Sequence, residues 1–316
     1  MRKLVASLAA LCALAWPAAA QKETLRVPFW VHADVASAGR APSAEELRVQ
    51  AGSEPAAVLR VLGPEDGLLL LLVTDLAGSL THAQLAKRAL GDSIGRLPDH
   101  VRVALLRSQD GLKVVSDPTA EREQLRAAVE SVPVSGRAGL LETVQAAANL
   151  GDAILAKAAV RVAVLYITDS EIGNYREDFT NPTINSSDSG DVSRRFRDGL
   201  IRDRIARLDA ALSATETPVF IVHLNYRTDS LNQAYQTGLM TLAATTGGES
   251  YFCRSQAEIA ESIARAFEAV ASQHSAVVEM PPPPLPRFLE ITMESPGRTL
   301  SWRNRFSVEN GTKAAR

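Results

Sequence analysis

Residues 68–73 are six consecutive large aliphatic side chains, and they run straight into Thr74-Asp75. A stretch that apolar has no face to offer water. As a strand it needs cover on both sides, which a parallel sheet between two helical layers supplies. Residues 101–106, 160–167 and 219–224 repeat the pattern. The segments between them carry helical signals. Asp117-Pro118 offers a cap and a first-turn proline ahead of Leu125, Val129 and Val132. Leu231, Tyr235, Leu239 and Leu242 share one helical face, and Gly247-Gly248 stops it. Ser255 and Glu258 have capping-box spacing before Ile259, Ile263, Phe267 and Val270. Strands alternating with helices predict a doubly wound, mainly parallel α/β sheet, with 111–115 as an antiparallel edge strand beside 101–106.

The flanks read differently. Residues 25–31, 46–50 and 58–62 are short strand candidates, separated by turn signals at Ala38-Gly39-Arg40, Ala41-Pro42-Ser43 and Gly52-Ser53-Glu54-Pro55. The run Pro281-Pro282-Pro283-Pro284-Leu285-Pro286 reads as a stiff spacer, because proline has no N–H to give a helix or sheet interior. After it, 287–294 and 299–308 flank Ser295-Pro296-Gly297-Arg298 as a hairpin, with a mobile tail after Asn310. Neither flank is large enough to be stable alone, so the two are expected to pack together as a small β module.

The first twenty residues have the make-up of a secretory leader: basic Arg2 and Lys3, an apolar run over 4–16, Pro17, and Ala18-Ala19-Ala20 before Gln21. The run is too short to span a bilayer, and no other segment reaches that length. The expected organisation is therefore a signal peptide over 1–20, an N-terminal β module over 21–65, an α/β domain over 66–275, a Pro-rich linker over 276–286, and a C-terminal hairpin and tail over 287–316. Without the leader the chain is more acidic and keeps one cysteine, Cys253, so an internal disulfide is excluded and a buried thiol is expected. The full sequence has 34 Lys+Arg against 36 Asp+Glu and is 46% hydrophobic. That excludes disorder as the main state and gives no global attraction for nucleic acid or anionic membrane.

Ligands of an open parallel sheet bind at the carboxyl ends of its strands. Asp75 and Asp169 stand there, each after a threonine, with the hydroxyls of Ser79, Thr81 and Ser170 nearby. Such oxygens suit a hard cation, Mg²⁺ or Ca²⁺; they also suit helix capping and loop turns.

Leu68-Leu69-Leu70-Leu71-Leu72-Val73-Thr74-Asp75-Leu76-Ala77-Gly78-Ser79 resembles the first strand and Asp-x-Ser-x-Ser loop of a von Willebrand factor A (VWFA) domain. Val164-Leu165-Tyr166-Ile167-Thr168-Asp169 and Leu242-Ala243-Ala244-Thr245-Thr246-Gly247-Gly248, running into Tyr251-Phe252, carry the same resemblance. It covers about 66–275, and with the preceding β segment it is similar to the exported bacterial VWFA-related proteins. The resemblance implies a metal-ion-dependent adhesion site. Asp75, Ser79 and Asp169 match its ligands, while Ala77 replaces the first serine and Ala138 the second-loop threonine, if Gly136-Arg137-Ala138-Gly139-Leu140 aligns there. The third-loop Asp-Gly is Asp169-Ser170. Two oxygen ligands are missing, so the implied site for Mg²⁺ or another divalent cation is degenerate; Ser135 is the nearest spare hydroxyl in sequence.

Other constellations are weaker. Arg194, Arg195, Arg197, Arg202, Arg204 and Arg207 alternate with Asp198, Asp203 and Asp209 as a solvated helical face. A polar loop over 170–191 starts at Asp169 and contains Asn185-Ser186-Ser187, a sequon by pattern. The five histidines lack metal-site spacing, and His223 is expected in the core. No hydrolase elbow, phosphate loop or zinc-protease helix is present. The expected function is a non-enzymatic, exported protein-binding or adhesion-type module, periplasmic or extracellular, whose protein partner offers an acidic residue to the cation. One alternative is a metal-free assembly scaffold in the envelope. Another is a metal-assisted hydrolase using Asp75 and Asp169.

Overall fold

The computed structural model describes residues 24–32, 41–175 and 190–308, with 190–198 described by backbone alone. The leader over 1–20, the turn at Ala38-Gly39-Arg40, most of the 170–191 loop with its sequon, the side chains of Arg194, Arg195, Arg197 and Asp198, and the tail after Asn310 lie outside the described residues.

A six-stranded sheet forms the middle layer, in the order β10 (Ser250–Phe252), β9 (Val219–His223), β8 (Arg161–Thr168), β5 (Leu68–Asp75), β6 (Val101–Arg107) and β7 (Lys113–Thr119). All neighbours are parallel except β7, which closes one edge antiparallel to β6. The aliphatic run is β5, at the heart of the sheet. Its side chains alternate between the two faces, as the period of a strand requires. Leu68, Leu70 and Leu72 pack with α1 (Leu80–Gly95), α2 (Arg122–Ser131) and α6 (Ile259–Ser272). Leu71 and Val73 pack on the opposite side with α3 (Leu140–Leu155), α4 (Gly190–Leu212) and α5 (Ser230–Thr246). The doubly wound sheet expected from the sequence is the sheet observed. Pairing of β5 with β8 runs from Leu68 opposite Arg161 to Asp75 opposite Thr168. That register brings Asp75 and Asp169 to the same end of adjacent strands.

The flanking β module is a sandwich of two four-stranded sheets. One has the order β13 (Thr299–Trp302), β1 (Thr24–His32), β11 (His274–Glu279), β4 (Val58–Leu62); the other is β14 (Arg305–Ser307), β12 (Phe288–Glu294), β2 (Arg48–Ala51), β3 (Glu54–Ala56). Val27, Phe29, Val49, Val278, Leu289, Ile291 and Phe306 fill its core. Both ends of the chain thus contribute strands to each sheet.

Three expectations are corrected. Asp117-Pro118 does not start a helix: both residues lie in edge strand β7, where a missing N–H can face solvent, and α2 begins at Arg122. Residues 276–279 are not linker, because Ala276 and Val278 point into the sandwich core and β11 pairs with both β1 and β4. Residues 280–287, the proline run with one residue on each side, lie outside strands, since proline cannot supply ladder donors. The hairpin around Ser295-Pro296-Gly297-Arg298 has the expected turn, with Arg298 N–H donating to Ser295 O and Gly297 at φ +71°. Its arms then separate. β12 pairs with β14 and β2, while β13 crosses to β1, because each arm completes a different sheet of the sandwich.

Candidate functional site

Asp75 ends β5 and is fully buried. Its Oδ1 accepts from Gly139 N–H (3.0 Å); its Oδ2 accepts from Leu140 N–H (3.3 Å), Thr168 Oγ1 (3.1 Å) and Ser170 Oγ (3.1 Å). Gly139 and Leu140 open α3, so the carboxylate sits at the positive end of that helix. Burial pushes the Asp75 carboxyl above the usual range, while bonds from Gly139, Ser108, Ser170 and Thr168 oppose that shift. Gly139 is required by space: a Cβ there would run into the Ser108 carbonyl.

Asp169 follows β8 and is 1% exposed. Its Oδ1 accepts from Ala77 N–H (2.8 Å) and Gly78 N–H (2.9 Å), and its Oδ2 from Ser79 N–H (2.6 Å). These three donors line the entry to α1, a second helix N-terminus filled by an internal carboxylate. Gly78 lets the loop approach this closely, since a Cβ there would lie 2.9 Å from the Asp169 carbonyl and 3.3 Å from its carboxylate. Ser79 is the N-cap of α1, with its Oγ accepting from His82 N–H (3.4 Å).

Behind Asp75 lies a buried hydroxyl network. Ser170 Oγ is 2.6 Å from Thr168 Oγ1 and 3.1 Å from Tyr235 OH, and Tyr235 OH is 3.5 Å from Tyr175 OH. Leu141 N–H donates to Tyr175 OH (3.4 Å). Burial, followed by the negative charge of Asp75, holds the Tyr235 phenol in its neutral form. Sequence reading placed Tyr235 on a buried helical face. The signal that it belonged to the site was the phenol itself, because a buried tyrosine hydroxyl needs a partner. Tyr175 and the backbone donors of Gly139 and Leu140 had no comparable sequence signal.

The strand register therefore brings Asp75, Asp169 and Ser79 to one loop face, as expected. The donor set does not fit a divalent cation. Six-coordinate Mg²⁺ needs oxygens aimed at one open point. Here all four carboxylate oxygens already accept protein N–H or O–H donors, and Ser79 caps a helix. Ala77 and Ala138 add no oxygen, and Ala138 is buried at 1% exposure. Ser135 is exposed on its loop. Among the described residues, no group of three or more His, Cys, Asp or Glu is placed to hold a metal ion. A hydrolase built on the two aspartates fits equally poorly, since both carboxylates are buried, at 0% and 1% exposure, and hold the protein's own donors.

The remaining candidates are structural. Buried His223 has Nε2 2.8 Å from Ser170 O, and its Nδ1 accepts from Asn225 N–H (3.4 Å). Cys253 is a free, buried thiol whose pKa burial raises, which disfavours the thiolate. In the arginine-rich helix, Arg204 donates to Leu141 O and Arg207 to Asp203 O. A cleft of about 520 Å³ lies apart from the aspartates, between the sandwich and α5, lined by Trp30, Asp209, Glu249, Phe288, Trp302 and Arg305 among others.

No protein-family model matches the chain, and no curated protein matches it. Solved structures do. A von Willebrand factor type A protein from Catenulispora acidiphila is similar at 10% identity, covering 91% of this chain and 74% of that one, with a TM-score of 0.46. An aerotolerance-related membrane protein from Bacteroides fragilis shares 12% identity over 64% of this chain and 99% of its own, at a TM-score of 0.39. The PilB minor pilin from Streptococcus sanguinis shares 10% identity over 66% of this chain and 62% of its own, at a TM-score of 0.45.

Proposed function

We propose that this chain is an exported, non-enzymatic protein-binding module, with recognition at the loop face where the sheet strands end. One observation carries the reading. That face is fixed from within by Asp75 and Asp169, both buried, so it offers a preformed surface. Leu80 stands on it at 68% exposure, in the first turn of α1 beside Gly78. Arg137 is exposed on the adjacent loop, and Asp110 N–H donates to its carbonyl. Leu80 and Arg137 are the apolar and charged side chains that a protein partner would meet on this face. The leader over 1–20 supports export, with the periplasm or the exterior as the place of action. No helix among the described residues is long and apolar enough to cross a membrane.

Capture from the native envelope tests this. The chain lacking residues 1–20, immobilised and cross-linked, is expected to retain a discrete protein partner, and Leu80→Asp to lose at least tenfold of it. Equal capture by wild type and Leu80→Asp would remove the loop face from the reading. A reproducible hydrolytic activity that vanishes in Asp75→Asn would overturn the non-enzymatic assignment.

A further inference from the structure

The two aspartates make seven hydrogen bonds as acceptors, four to Asp75 and three to Asp169, and five of the seven donors are backbone N–H groups at the starts of α1 and α3. In an open cation site, clustered carboxylates repel one another until the ion arrives, and removing one relieves the empty protein. Here each carboxylate accepts hydrogen bonds from a helix N-terminus and from other donors in reach; at Asp75 these oppose the burial that raises its pKa. The three chain segments that meet at the site, 76–79, 139–141 and 168–170, are tied to one another through these carboxylates. Asp169 reaches from the end of β8 to the start of α1, and Asp75 from the end of β5 to the start of α3. Gly78 and Gly139 stand where a side chain would break the approach.

We infer that Asp75 and Asp169 are staples that set the conformation of the loop face without a cation, the site's anion-accepting backbone being occupied by the protein's own carboxylates. The inference deepens the protein-binding reading and rests on it only for the corollary that partner capture survives chelation. A metal shell completed by an acidic residue of the partner then has no place in recognition. The staples themselves can be tested without any partner, so the two ideas fail separately.

Thermal denaturation distinguishes staples from an empty cation site. Asp169→Asn places an amide N–H₂ against a cradle of N–H donors, and it is expected to lower Tm by about 5 °C or more in chelator-treated buffer. Asp75→Asn is expected to fall in the same direction. Gly78→Ala, which leaves every charged group in place, should also melt lower, because its Cβ would crowd the Asp169 carbonyl. Millimolar Mg²⁺, Mn²⁺ or Ca²⁺ should leave the wild-type Tm where the chelator leaves it. An Asp169→Asn or Asp75→Asn protein that melts at or above wild type in chelator would overturn the inference. So would a wild-type Tm raised by any of the three ions. If an Asn variant does not fold, the wild-type cation measurement still decides the matter.

Discussion

His223 shows how tightly the polar residues of this loop face are committed. Its Nε2–H donates to Ser170 O and its Nδ1 accepts from Asn225 N–H, so the neutral ring uses both nitrogens. Tyr235 and Phe252 pack around it. Burial pushes its pKa down to about 4, against the pull of the Ser170 carbonyl and with added repulsion from His82 and Arg227. A histidine in the unfolded chain titrates near ~6.5. Between those values the unfolded chain binds a proton that the folded chain refuses, so stability falls as pH drops from about 6.5 toward 4. The full loss is on the order of 3 kcal/mol. Urea unfolding across this window should show the slope, and His223→Gln, which can still donate to Ser170, should reduce it by about half, leaving the share of His274, which burial also pushes down to about 4. An unchanged slope in His223→Gln would assign the proton uptake to His274 alone. At this scale the placement of Asp75, Asp169 and Ser79 on the strand-end loops was legible, because strand-end position is local. Their hydrogen-bond partners were not. Backbone N–H groups of Ala77, Gly78 and Gly139 carry no mark in a sequence, and metal ligands look the same as staples until those donors are placed.

Among the elements, the end of α5 agrees with the sequence, whereas the start of α6 does not: Ser255 and Glu258 open a short 3-10 turn without a side-chain cap bond, and α6 begins at Ile259. Gly247 takes φ +82° and closes α5, with Gly248 N–H reaching back to Ala243 O, as the paired glycines implied. The elements that defeated the reading are those whose partners lie far away in sequence. Asp117-Pro118 has the composition of a helix start, yet β6 needed an edge partner and took it. The arms flanking Ser295-Pro296-Gly297-Arg298 looked like one hairpin because nothing local shows that each serves a different sheet. Arg303, between β13 and β14, is 4% exposed. Its guanidinium donates to the carbonyls of Arg305, Thr215 and Ser213, the last two just beyond the end of α4. Burial lowers its pKa to about 9, so it stays charged at neutral pH. This cation faces the negative end of α4 and fastens the sandwich to the α/β layer. Arg303→Met should cost about 3 kcal/mol in urea unfolding, and Arg303→Lys should not restore it, because an ammonium cannot span the same fork. A stable Lys variant would mean that charge alone holds this joint.

For the whole molecule, the aliphatic strand, the alternation of strands with helices and the pooling of both flanks into one β module were all readable, because each follows from periodicity or from a core too small to stand alone. The cation was the property that resemblance implied and geometry does not support. Ala77 and Ala138 were visible as missing oxygens, but the stronger reason lies in the fold. The sheet register sets Asp75 beside Thr168, and α1 and α3 start close enough to take both carboxylates. The loop face proposed for recognition is then set when the chain folds. Calorimetric titration of the chain lacking residues 1–20 with Mg²⁺, Mn²⁺ and Ca²⁺ at millimolar concentration tests this most directly. No binding heat above dilution is expected for any of the three ions. A saturable one-site isotherm that disappears in Asp169→Asn would contradict it.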